Sequence, residues 1–80
     1  MKKYFIKINE NDNVVVAIKD LKEGEYIDEG FKVNSNIPQS HKIALKDIKK
    51  DEAIIRYGIC IGFALQDIKK GDWVNEHILR

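Results

Sequence analysis

Two histidines and one cysteine are the side chains in this 80-residue chain that could ligate a soft metal or handle a proton near neutral pH. His41 lies in the stretch IPQSHK, Ile37 to Lys42. Pro38, the only proline, fixes its own φ and pushes Ile37 into an extended conformation. Gln39 and Ser40 then form a polar bend that presents His41 beside Lys42. An imidazole next to an ammonium can hold an anionic substrate or take a proton from it. The same residues also suit a solvated surface turn with an incidental basic pair. His77 stands near the C-terminal end, after an apparent strand, in a position where chain ends are usually frayed and solvated. Cys60, within GICIGFA, reads as a buried core thiol. His41, Cys60 and His77 share no ligand-like spacing, so no metal site is expected on this chain. No GxGxxG, phosphate loop or HExxH occurs.

The elements that must position these groups announce themselves by repetition. AIKDLKEGEYI begins at Ala17, ALKDIKKDEAII at Ala44 and ALQDIKKGDWV at Ala64. The starts lie 27 and then 20 residues apart, whereas a solenoid would keep one period. The phrase is therefore a local structural device reused inside one fold. The residues before it (NVVVA, HKIA, CIGFA) are β-branched and aromatic and favour strands. Asp20, Asp47 and Asp67 follow where a strand should stop. Each short carboxylate can accept a hydrogen bond from a backbone N–H a few residues on and close a turn. Leu21, Ile48 and Ile68 would anchor the turns in the core. Gly24, Asp51 and Gly71 share one slot, and that combination of residue types predicts a positive φ there. New strands begin next. NIPQSHKIAL, Asn36 to Leu45, and the closing DWVNEHILR are the two segments the phrase does not explain.

No window keeps an apolar stripe at helical spacing for more than about two turns, so at most a single helical turn is expected, in HKIALKDIKK. Six or more short strands folding back on themselves favour a closed or nearly closed all-β arrangement that protects its edges. Residues 1–80 read as one small domain. Fourteen basic residues against 13 acidic ones give no electrostatic case for nucleic acid or an anionic membrane. The longest apolar run, VVVAI, is far too short for a membrane span, and the N-terminus lacks a signal-peptide core. A lone cysteine fits a reducing compartment, so a cytoplasmic location is expected.

The run IPQSHKIALKDIKKDEAIIRYGICIGFALQDIKKGDWVNEHIL resembles the N-terminal SAF domain of the altronate and galactarate dehydratase family. The family pattern is roughly I-P-x-G-H-K-x-A-L-x-D-I, then I-[KR]-Y-G-x-x-I-G-x-A-x-x-D-I-x-x-G, then H-V-H-N. DNVVVAIKDLKEG is similar to its opening. The resemblance covers about Asp12 to Leu79 and implies a β-clip fold. It also implies a role as the small subunit, or N-terminal-type domain, of a metal-dependent lyase, similar to the small subunit of sulfolactate sulfo-lyase. Such enzymes remove water or sulfite from a sugar acid or related 2-hydroxy acid. The resemblance places the divalent metal in a large catalytic partner subunit. It assigns catalytic roles to His41, Lys42 and His77, and substrate contacts to Arg56, Tyr57 and Gly58. Ser40 replaces the family's usual glycine, Asn75 its first terminal histidine and Ile78 its asparagine. A non-catalytic β-clip module binding a carbohydrate acid or a protein partner is the alternative.

Overall fold

The computed structural model describes residues 5–6, 10–28 and 31–75; His77 and Ile78 lie outside the described residues. Eight short strands and no helix occur among them: β1 (Phe5–Ile6), β2 (Val14–Ala17), β3 (Tyr26–Asp28), β4 (Phe31–Lys32), β5 (Lys42–Ala44), β6 (Ala53–Arg56), β7 (Ile59–Phe63) and β8 (Trp73–Val74). They form an antiparallel sheet in the order β1-β2-β5-β8 and two hairpins, β3–β4 and β6–β7. The all-strand expectation from the β-branched runs holds.

β2, β5 and β8 carry buried side chains on both faces of the sheet. On one face Val15, Ala17 and Ile43 join Leu21, Ile27, Phe31, Val33 and Ile37 in one core, with Trp73 and Leu45 packed against it. On the other, Val14, Ala44 and Val74 join Ile48, Ile54, Ala64 and Ile68. The cross-strand pairs Val15↔Ile43 and Val14↔Ala44 fix this division, because successive residues of a strand point to opposite faces. That is why VVVA is continuously apolar and does not alternate.

The repeated phrase builds the corners, and there are four of them rather than three. Gly24, Asp51 and Gly71 have φ of +84°, +73° and +91°, as their residue types predict. Ser40 joins them at +74°. The segment Val33–His41 carries the same hydrogen bonds as the three phrases and is a fourth copy, which corrects the expectation that IPQSHK stands apart. The turns pair in chain order. Leu21 and Ile37 exchange both backbone hydrogen bonds, and so do Ile48 and Ile68. The positive-φ residue of each turn donates its N–H to the carbonyl of the residue that opens its mate: Gly24 to Val33, Ser40 to Ala17, Asp51 to Ala64 and Gly71 to Ala44. Each pair sits on its own core.

The aspartates do not close their own turns. Asp20 Oδ1 accepts from Gln39 N, Asp47 Oδ1 from Lys70 N and Asp67 Oδ1 from Lys50 N, each 17 or more residues away. In the second turn Asn36 Oδ1 plays that part, accepting from Glu23 N at 2.8 Å. Each such carboxylate or amide therefore clasps the mate turn, where the left-handed bend aims a spare N–H at it. The turn's own closure falls to the acid that follows the positive-φ residue. Glu25, Glu52 and Asp72 accept from the N–H groups of Lys22, Lys49 and Lys69. The Lys19 ammonium, 2.7 Å from Glu25, together with that Lys22 N–H, holds the Glu25 carboxyl below its ordinary range.

Gly71 and Gly24 share a slot but not an environment. A Cβ on Gly71 would lie 2.4 Å from the Lys32 carbonyl oxygen, while one on Gly24 would meet nothing within 4 Å. Gly24→Ala is expected to cost only the left-handed penalty, about 1–2 kcal/mol. Gly71→Ala adds a backbone collision to that penalty. It should lose about 1–3 kcal/mol more, the usual cost of overpacking. Paired urea melts measure the difference.

Candidate functional site

His41 is the residue that follows the positive-φ position of the second turn, the slot that holds an acid in the other three. Its backbone behaves as theirs does: His41 N–H donates to the Pro38 carbonyl, as Glu25, Glu52 and Asp72 donate to Lys22, Lys49 and Lys69. The side chain has no such duty, because Pro38 has no N–H to offer it. The imidazole stands exposed, and the structure gives it another neighbour. His41 lies two residues before Ile43, whose cross-strand partner is Trp73, so both rings rise from one face of the sheet. Trp73 Nε1–H donates to His41 Nδ1 at 3.2 Å, and the rings meet edge-on with centroids 5.5 Å apart.

This contact decides what the ring can offer. Indole nitrogen is a donor only, so the Nδ1 facing it must be the acceptor nitrogen. A neutral imidazole with an accepting Nδ1 carries its proton on Nε2. His41 therefore presents an N–H outward, suited to holding and polarising an anionic or leaving oxygen. Long-range nitrogen–proton NMR of the neutral ring is expected to show an unprotonated Nδ1 and a protonated Nε2. Trp73→Phe should let the second tautomer appear, and an Nδ1–H in the unaltered protein would contradict the assignment.

Lys42, the first residue of β5, is half-buried and opposes Val16 and Val74. It alternates with Ile43, so its side chain leaves the sheet on the face opposite His41. The two residues adjoin in the backbone but do not form the side-by-side pair the sequence suggests.

Arg56, Tyr57 and Gly58 make the tip of the β6–β7 hairpin. Arg56 opposes Ile59, leaving a two-residue loop in which Tyr57 and Gly58 have φ of +56° and +74°. Positive φ at both positions is the backbone of a type I′ turn, whose twist suits a hairpin. Gly58 thus meets a backbone demand, and Tyr57 occupies a conformation that a bulky side chain seldom takes. The Arg56 guanidinium lies over the Tyr57 ring, 4.6 Å from its centroid.

Two buried polar residues, which sequence reasoning passed over as site elements, moor this hairpin. Asp12 Oδ1 accepts from Gly58 N at 2.8 Å. Asn13 Nδ2 donates to the Ala53 carbonyl at 2.8 Å, and its Oδ1 accepts from Ile55 N at 2.7 Å. Asp12 and Asn13 precede β2, while His41 is bonded through its carbonyl to Ala17, at the far end of that strand. The candidate residues therefore form two groups, at opposite ends of β2. Cys60 is exposed on β7, not in the core, because β7 stands away from both clusters. Among the described residues no three His, Cys, Asp or Glu side chains gather so as to hold a metal ion. No helix among them is long and apolar enough to cross a membrane.

Short antiparallel strands, paired left-handed corners and an exposed histidine loop define a small all-strand domain of the SAF class. The chain belongs to the altronate/galactarate dehydratase SAF domain family, whose pattern it matches over residues 3–80. It is 40% identical over 78 residues to the galactarate dehydratase (L-threo-forming) of Escherichia coli, covering 95% of this chain and 15% of that one. It is 41% identical to the altronate dehydratase of Bacillus subtilis, covering 94% and 16% respectively. A shorter match, 40% over 47 residues, is to the (2R)-sulfolactate sulfo-lyase subunit alpha of Chromohalobacter salexigens, covering 59% of this chain and half of that subunit. The chain thus spans about a sixth of the length of the dehydratases it matches. The +74° φ of Ser40 is a backbone requirement that glycine meets freely and serine meets at a cost.

Proposed function

We propose that this domain is the small component of a lyase that eliminates water, or sulfite, from a sugar acid or related 2-hydroxy acid, and that it works against a larger catalytic chain in the cytoplasm. The exposed His41, with its ring oriented by Trp73, is the observation that carries the reading. In such an elimination the proton beside the carboxylate is weakly acidic, and negative charge develops on oxygen as it leaves. The outward Nε2–H of His41 holds and polarises one of these oxygens. His77 is the further catalytic group of this reading, whereas Lys42, on the opposite face of the sheet, and the Arg56–Gly58 tip, at the other end of β2, lie away from that oxygen. A divalent metal, bound by the larger chain, would help stabilise the enediolate.

The test is reconstitution with a larger lyase chain from the same genome. Turnover is assayed over a panel of sugar acids and sulfonated hydroxy acids. Turnover that requires both chains supports the reading. A complex that forms but turns over none of the panel, or a larger chain fully active alone, rejects it.

A further inference from the structure

The second turn departs from the other three at two further places. The residues just before and just after the opening position are Val16 and Ile18 in the first turn, Ile43 and Leu45 in the third, and Phe63 and Leu65 in the fourth. In the second they are Lys32 and Asn34. An apolar pair that three copies keep, even where Ile18, Phe63 and Leu65 stand exposed, is thus replaced by an ammonium and an amide. Both replacements line one hollow of about 210 Å³, together with Phe31 and with Lys70 of the fourth turn. Two of its four lining residues are lysines and none is an acid. The Lys70 ammonium lies over the buried Phe31 ring, 4.9 Å from its centroid, which holds that charge at the hollow. Asn34 is fixed in place. Its backbone N–H donates to the Gly71 carbonyl, and its Nδ2 donates to the Lys70 carbonyl at 2.9 Å and to Asp72 Oδ1 at 2.8 Å. Both amide hydrogens are committed, so Oδ1, an acceptor, is what the side chain can offer a ligand. The Asp72 carboxylate is committed too, since its Oδ2 accepts from Lys69 N.

We infer that this hollow is a binding site for a small hydroxy acid, its carboxylate held by Lys32 and Lys70 and a hydroxyl of the same molecule donating to Asn34 Oδ1. The lining selects that class. Two ammonium groups attract an anion. The committed amide then asks for a hydrogen-bond donor on the same ligand, which a plain carboxylate does not bring. A neutral polyol brings the donor but leaves both ammonium groups without a counter-charge. The volume is below the roughly 300–1,000 Å³ of drug-sized pockets, so the acid is small. Lys32, Asn34 and Lys70 are all exposed, and ion pairs in such a place are weak and screened by salt. A Kd on the order of 1 mM is therefore expected. The hollow shares no residue with the His41–Trp73 contact, so the inference holds or fails apart from the proposed function.

The test is an amide NMR titration of the chain with gluconate at low salt, against acetate, inorganic phosphate and sorbitol at matched ionic strength. The expected result is a saturable shift of the amides of residues 32–34 and 70–72 with gluconate. Its Kd should be lower than those of acetate and phosphate by about fivefold or more, the worth of one added hydrogen bond, and sorbitol should shift nothing. Lys32→Gln and Lys70→Gln change exposed side chains and should melt as the parent does. Each should raise the gluconate Kd by about threefold or more. Lys46→Gln removes the same charge from an exposed position outside the hollow and should leave the Kd unchanged. No saturable shift overturns the site. Acetate or phosphate binding as tightly as gluconate overturns it in favour of general anion attraction, and so does an equal loss in Lys46→Gln. Shifts centred on His41 instead of the hollow overturn it in favour of the histidine loop.

Discussion

Replacing Asn13 with alanine is expected to lower the melting temperature by about 10–25 °C. Asn13 is buried, and its amide bonds two backbone groups of β6, the Ala53 carbonyl and the Ile55 N–H. Removing the amide strands both. An orphaned buried group costs about 1–3 kcal/mol, so the pair costs about 2–6. Small domains are stable by only about 5–15 kcal/mol, so a large share of the total is at stake. Asn13→Asp should fall between, because a carboxylate still accepts from Ile55 N–H but faces the Ala53 carbonyl without a donor. Hydrogen exchange locates the damage. Ile55 and Gly58 amides should lose protection before those of β2 and β5. Uniform loss across the chain would show that Asn13 supports the whole core and not the hairpin in particular.

His41→Ala in the reconstituted lyase is expected to lower kcat by about 10²–10³, the usual loss when one preorganised oxyanion donor is removed. His41→Gln separates a donor from a base. Its side-chain N–H can lie near the place of Nε2–H, but an amide cannot take up a proton. Retention of most of the turnover in His41→Gln supports the donor role that the Trp73 bond dictates. Equal loss in both variants indicates proton abstraction, and unchanged turnover in both removes His41 from the mechanism.

The corners were legible wherever residue type alone reports conformation. Asp51 in a glycine slot gave away a left-handed bend, and its φ agrees. The second turn stayed hidden because Asn36, Pro38, Ser40 and His41 share no residue identity with their counterparts. Only φ and hydrogen bonds reveal the kinship. The reach of Asp20, Asp47 and Asp67 was misjudged for a related reason. Local sequence suggests a nearby amide, and the true partner lies on a mate turn brought close by the fold. Asn13 was opaque in the same way, with partners 40 and 42 residues ahead. GICIGFA misled because hydrophobicity signals burial without saying what covers the residue. In Trp73 the sequence shows a strand residue, and nothing in DWV discloses that its indole meets a histidine 32 positions earlier.

The pairing of corners in chain order divides the domain into two tandem halves of like plan, Ala17 to His41 and Ala44 to Asp72, each with its own core. Such doubling creates spare parts. Three carboxylates do the same mechanical job, and one proline at the fourth corner dismisses its occupant from that job without loosening the corner, since the main chain there is still bonded. A duplicated scaffold can thus release a residue for new work at no structural loss, and His41 occupies the post so released.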